Sequence, residues 1–141
     1  MRRVFCFQGV ANLKETGILA TMSSLSIETL RSEISSGKID TVIVAITDMQ
    51  GRLVGKRIHG QYFLDDVLQH GTEGCNYLLA VDMDMNTVGG YEMSSWDRGY
   101  SDFVMEPDMS TLRRVPWQEG AAMVLADVKW LDGKDVVASP R

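Results

Sequence analysis

An α+β fold, with a mixed sheet and helices packed on one face, is predicted by three observations. The run "DTVIVAITD" at 40–48 is β-branched and apolar, and after a four-residue turn the chain returns as "RLVGKRI" at 52–58. A helical pattern, "QYFLDDVLQHG" at 61–71, then crosses away from this hairpin. Strand patterns resume beyond Phe103 and run to the end of the chain. Hairpin, crossing helix and further strands are the order of a β-grasp.

Each element has a local reason. "SIETLRSEISSGKI" reads as a helix capped by Ser26, with Glu28 in its positive first turn and Ile27, Leu30 and Ile34 at helical spacing. Gly37 ends it. The run 40–48 is apolar on both faces, which predicts a central strand covered on each side. "DMQG" has Asp at the first and Gly at the fourth position of a type I turn. In the second helix Phe63, Val67 and Leu68 face inward and Gly71 closes it. "CNYLLAV" at 75–81 predicts a third strand. From Asp82 to Asp102 no period survives, and a loop of that length points to function or mobility. "FVMEPD", "STLRRVPW" and "AAMVLADVKWLDGKDVVASPR" restore order, with Asp132-Gly133 as a turn.

Residues 1–21 differ from the rest. Their apolar core, VFCF, is too short for a secretory signal, and Met22 stands directly before the first helix pattern. They read as a leader or disordered extension ahead of one domain at 22–141.

The totals exclude several classes. With 141 residues, 45% apolar and 23% charged, the chain has the composition of a single globular domain. A net charge of −5 lacks the basic footprint of a nucleic-acid binder and offers nothing to anionic membranes. No apolar run nears the ~20 residues that span a bilayer. Two cysteines, Cys6 and Cys75, cannot build a disulfide framework or a structural zinc site, and Cys75 reads as a small buried hydrophobe. His59 and His70 are too far apart to form a local ligand pair. Reduced, cytoplasmic chemistry is the expectation, with no metal site on this chain.

The stretch "ITDMQGRLVGKRI" at 46–58 carries the chemistry. It is no phosphate loop: three residues separate Gly51 from Gly55 where four are needed, and Arg57 stands where Ser or Thr must hold magnesium. Asp48 has two readings. It can start the turn by accepting backbone N–H groups, or it can be an ionised carboxylate held at a sheet edge to bind a cation or ammonium group. Lys56 and Arg57 read as a solvated strand face. Asp82, Asp84, Asp97 and Asp102 lack the spacing of a calcium loop and read as solvated acids. Met83, Met85, Met93, Met105 and Met109 suit adaptable packing around the long loop, and Trp96, Trp117 and Trp130 suit partial core or interface anchors. No Glu-x-Glu, His-Glu-x-x-His or Gly-x-Ser-x-Gly motif is present, so no complete catalytic set can be assembled.

Three blocks, "VIVAITDMQGRLVGKRI", "YSDFVMEPDMSTLRRVPW" and "AAMVLADVKWLDGKDVVASPR", together resemble the N-terminal domain of the glutamine synthetase superfamily, in family order, across 39–141. The resemblance implies a β-grasp domain in a ring-shaped homo-oligomer, with each active site shared between this domain and a neighbour's catalytic domain. It implies an ATP-dependent ligase that joins the γ-carboxylate of glutamate to ammonia or an amine, using magnesium or manganese. ATP and metal belong to the catalytic half, which would begin after Arg141, so this chain alone is expected to be inactive. By resemblance, Asp48 is the residue that helps bind the ammonium group and draws off its proton.

The nitrogen substrate stays open. Bacterial glutamine synthetases carry Phe-Asp-Gly-Ser-Ser where this chain has "YLLAVDMDMN", and "GRLVGKR" looks more like the γ-glutamyl-amine ligase branch. That leans towards an amine. A different class, a stand-alone β-grasp module mediating protein contacts, is the alternative, since fold alone does not decide function.

Overall fold

The computed structural model describes residues 24–94, 97 and 99–141. The leader at 1–21, Cys6 and Trp96 therefore lie outside the described residues. Helix α1 spans Ile27–Ser35, and the Ser26 hydroxyl accepts the Thr29 N–H at 3.2 Å. That cap satisfies an amide the first turn leaves unpaired. Leu30 is fully buried beneath it.

Strands β1 (Thr41–Thr47) and β2 (Leu53–His59) form the antiparallel hairpin that the sequence predicts. A helical run, α2, follows in three segments: Gly60–Tyr62, one π-helical turn at Phe63–Val67, and Leu68–His70. Strands β3 (Thr72–Cys75), β4 (Asp102–Arg114) and β5 (Ala121–Trp130) complete a five-stranded sheet of order β2-β1-β5-β4-β3. The first and last strands, β1 and β5, run parallel at its centre, and every other pairing is antiparallel. This is the mixed sheet of a β-grasp.

Alternation along β1 divides the core. Val42, Val44 and Ile46 point to the face that holds Leu30, Phe63, Leu64 and Val67 from the helices. Ala45 points to the other face, where it joins Val115, Ala121 and Met123 in a smaller cluster to which no helix contributes. Among the described residues the helices thus cover one face only. The second face of β1 is less enclosed than expected, and Ile43 is only half-buried.

Other expectations also need correction. Residues 75–81 are not a strand: only Cys75 pairs in the sheet, and Asn76–Leu79 form a turn of 3-10 helix. The buried Asn76 amide donates to the Met93 carbonyl at 2.7 Å and to the Ser101 hydroxyl at 3.1 Å, which pulls the chain out of the sheet. Cys75 is half-buried rather than enclosed. Leu64, absent from the inward set read from the sequence, is buried because the π-helical turn rotates the helix face. Met105 is buried in the core, Met93 and Met109 pack against it, and Met83 is exposed. Trp130 packs on the core, while Trp117 lies largely exposed. No helix among the described residues is long and apolar enough to cross a membrane.

Candidate functional site at the Asp48 turn

Asp48 follows the last residue of β1, where the chain leaves the sheet. Its N–H donates to the Arg52 carbonyl at 2.9 Å, and the Gly51 N–H donates back to the Asp48 carbonyl at 3.0 Å. Gly51 adopts φ +80°, a conformation that side chains resist. The turn thus forms from the residues that predict it.

The Asp48 side chain is a different matter. Its Oδ1 accepts the N–H groups of Gln50 at 3.0 Å and Arg52 at 2.8 Å, and its Oδ2 accepts Arg52 Nε at 2.7 Å. The residue is 1% exposed. The sequence reading sets this carboxylate at an open sheet edge; the fold turns it inward and gives both oxygens partners within its own turn. At rest Asp48 therefore serves as the turn former, because two backbone amides and a guanidinium converge on it.

Arg52 does more than neutralise that carboxylate. Its Nη1 donates to the Met83 carbonyl at 2.6 Å, and its Nη2 donates to the Asp82 carbonyl at 2.9 Å and to Gln50 Oε1 at 3.3 Å. Gln50 Nε2 reaches the Val81 carbonyl at 2.7 Å. Two side chains of one turn thereby hold a segment some thirty residues further along. A rigid planar fork suits this task, since one guanidinium can serve a carboxylate and two carbonyls together.

The segment so held is a small hairpin, not the patternless loop read from the sequence. The Val88 N–H donates to the Ala80 carbonyl, the Asp82 N–H to the Asn86 carbonyl, and Val81 bridges Thr87. Asp82 closes the tip: its Oδ1 accepts the N–H groups of Asp84 and Asn86, both at 2.9 Å. The backbone and side-chain amides of Asn86, then the Asp84 N–H and the Arg52 charge, hold the Asp82 carboxyl below its ordinary value. Asp82 is therefore a structural cap, more than a solvated acid.

Three exposed apolar residues neighbour this pair in the chain. Met49, Leu53 and Met83 are 47%, 45% and 67% exposed, and each adjoins Asp48, Arg52 or the carbonyls that Arg52 binds. The remaining candidates stand apart from it. Lys56 is exposed on β2, and Arg57 donates to Gln118 Oε1 at 2.7 Å. Gly55 is part of a strand, and a Cβ there would meet the Val44 carbonyl oxygen at 2.0 Å, so its glycine serves close strand contact. His59 and His70 are exposed, and His70 Nδ1 lies 3.0 Å from Asp66 on its own helix. Asp84 and Asp97 are exposed, and Asp102 begins β4. Sequence reasoning missed Gln50 and Arg52; the spacing of Arg52 four residues after Asp48 was the available signal. Among the described residues no three His, Cys, Asp or Glu side chains are grouped to hold a metal ion, so the divalent cation that the family resemblance implies finds no ligand set on them.

A five-stranded β-grasp whose first turn is led by a carboxylate defines the class of domain. No family model matches the chain. It is 63% identical over 117 residues to the γ-glutamylethanolamide synthetase GlnA4 of Streptomyces coelicolor, a match that covers 83% of this chain and 25% of that protein. A glutamate–isopropylamine ligase of a Pseudomonas species is 39% identical over 112 residues, covering 79% of this chain and 24% of the relative. A solved structure titled a novel glutamine synthase homolog superposes with a TM-score of 0.58 at 19% identity, covering 72% of this chain and 24% of that one, which supports the fold. The chain belongs to the glutamine synthetase superfamily and corresponds to its N-terminal β-grasp domain. It spans about a quarter of the length of the relatives it matches.

Proposed function

We propose that this chain supplies the nitrogen-substrate side of an ATP-dependent ligase that joins glutamate to an amine, at a site shared with a neighbouring subunit's catalytic domain. The observation that carries this reading is the 63% identity to a γ-glutamylethanolamide synthetase, supported by the 39% identity to an isopropylamine ligase. Both names specify an amine that bears carbon. The exposed apolar side chains of Met49, Leu53 and Met83 suit such a substrate better than free ammonium, which has no apolar surface to bury.

In this reading Asp48 is the amine-side carboxylate. A protonated amine cannot attack until it loses a proton, and a fixed anion both attracts the cation and accepts its charge. Two backbone amides hold Oδ1 and Arg52 Nε holds Oδ2, so a substrate N–H reaches the carboxylate on its Oδ2 side, where Arg52 stands. ATP and its divalent cation belong to the rest of the enzyme, and the chain by itself turns nothing over.

A chimera tests the proposal. Residues 24–141 replace the matching segment of the Streptomyces coelicolor synthetase, and glutamate-dependent ATP hydrolysis is measured with ethanolamine, isopropylamine and ammonium. Turnover that favours the amines, and that fails for the amine when Asp48→Asn is introduced, is the expected result. A correctly folded chimera that prefers ammonium, or that is indifferent to Asp48→Asn, overturns it.

A further inference from the structure

The mobile-loop expectation and the buried Asp48 meet at one residue. Arg52 is the common partner of the carboxylate and of the 80–88 hairpin. It binds Asp48 Oδ2 with Nε, and the carbonyls of Asp82 and Met83 with its two terminal nitrogens. The Asp48 side chain is fully enclosed, whereas that of Arg52 retains 18% exposure. The guanidinium is thus the solvent-side member of the pair. The hairpin has its own backbone bonds, from Ala80–Val88 inward to Asp82–Asn86, and a side-chain cap from Asp82. Among the described residues, Arg52 and Gln50 supply the hydrogen bonds between it and the turn.

From this we propose that Arg52 is a positioning residue that stands in for the substrate cation. It occupies Asp48 until a protonated amine takes its place, and in leaving it gives up the carbonyls of Asp82 and Met83, so that the 80–88 hairpin shifts as a unit about the bond Gln50 keeps to Val81. The exchange is balanced in charge: one monovalent cation replaces another on the same anion, so Asp48 is never left buried without a partner. It also places the chemistry under control of the substrate. Only a cation able to compete for Oδ2 frees the hairpin from Arg52, and Met49, Leu53 and Met83, which follow Asp48, Arg52 and Asp82 in the chain, are exposed. The identity of the displacing cation rests on the ligase reading above; the coupling of Arg52 to the hairpin does not.

The test is an NMR comparison of the 141-residue chain with Arg52→Gln and Arg52→Lys, using methylammonium chloride as the probe. In Arg52→Gln the amides of Asp82, Asn86 and Val88 are expected to change shift together yet keep their protection from exchange. The Asp48 carboxyl carbon is then expected to move in a saturable way as methylammonium is added, and in the double variant with Asp48→Asn the carbon at that position is expected to show no such response. Lysine offers one ammonium group and no fork. In Arg52→Lys the hairpin signals should therefore shift as in Arg52→Gln, while Asp48 responds only at higher methylammonium, because a tethered ammonium must first be displaced. Hairpin amides that lose protection in both variants, or that match the unsubstituted chain in both, overturn the coupling. An Asp48 signal that ignores methylammonium in Arg52→Gln overturns the stand-in role even if the chimera still turns over ethanolamine. A chimera without amine turnover, alongside a responsive Asp48, defeats the ligase reading and leaves this one standing.

Discussion

The turns at 48–52 and 130–134 have the same backbone. In each, the first residue's N–H donates to the carbonyl four residues on, at 2.9 Å for Asp48 to Arg52 and 2.7 Å for Trp130 to Lys134. In each, a glycine at the fourth position has positive φ, +80° at Gly51 and +82° at Gly133, and donates back to the first residue. In each, the fifth residue is basic and pairs with an aspartate, Arg52 with Asp48 at 2.7 Å and Lys134 with Asp132 at 2.6 Å. What differs is where the aspartate sits. Asp48 takes the first position, beside the strand, and its side chain is fully enclosed; Asp132 takes the third, at the tip, and its side chain is 53% exposed. The same local chemistry gives a buried junction in one place and a solvated turn in the other.

Several substitutions break or sharpen this comparison. The largest effect belongs to Asp48→Ala, which strips two amides and a partly exposed guanidinium of their acceptor and should cost about 3 kcal/mol, seen as a fall in the thermal midpoint of roughly 10 °C. Gly51→Ala and Gly133→Ala come next. Both positions have room for a methyl group but the wrong backbone for it, so each should cost about 1 kcal/mol, and the two should agree in chemical denaturation. Agreement there, beside disagreement at the aspartates, would assign the difference to burial and not to the turn. Asp132→Ala should leave the midpoint within error, because an exposed pair in water is screened.

Acid supplies a local test. The Asn86 amides hold the Asp82 carboxyl below its ordinary 3.8, so its stabilising effect is present at neutral pH and is lost as pH falls below 3.8 through the folded value. Exchange protection of the Asn86 amide should fall in that window while the β1 amides, deep in the sheet, remain protected. Loss of both together would show that the hairpin has no separate stability.

The legible parts of this fold were those set by neighbours in sequence. Ser26 caps α1, Gly71 ends α2, the β1–β2 register follows from its turn, and the family blocks were readable by order. The illegible parts depend on distant partners. Nothing in "CNYLLAV" reveals that Asn76 bonds Met93 and Ser101, so an apolar run was read as strand. Nothing near "DMQGR" reveals the carbonyls of Asp82 and Met83. Aspartate at the head of a turn is one signal with two outcomes, and only the packing of a segment thirty residues away separates them. For the candidate site, residue type was legible and accessibility was not.

Carboxyl labelling measures that accessibility directly. Treating the folded chain with a water-soluble carbodiimide and an amine, then locating the modified acids by mass spectrometry, should mark Asp132 readily and spare Asp48, and Arg52→Gln should bring Asp48 into the labelled set. If Asp48 is labelled as fast as Asp132 in the unsubstituted chain, the enclosed junction does not exist and the role assigned to Arg52 is wrong.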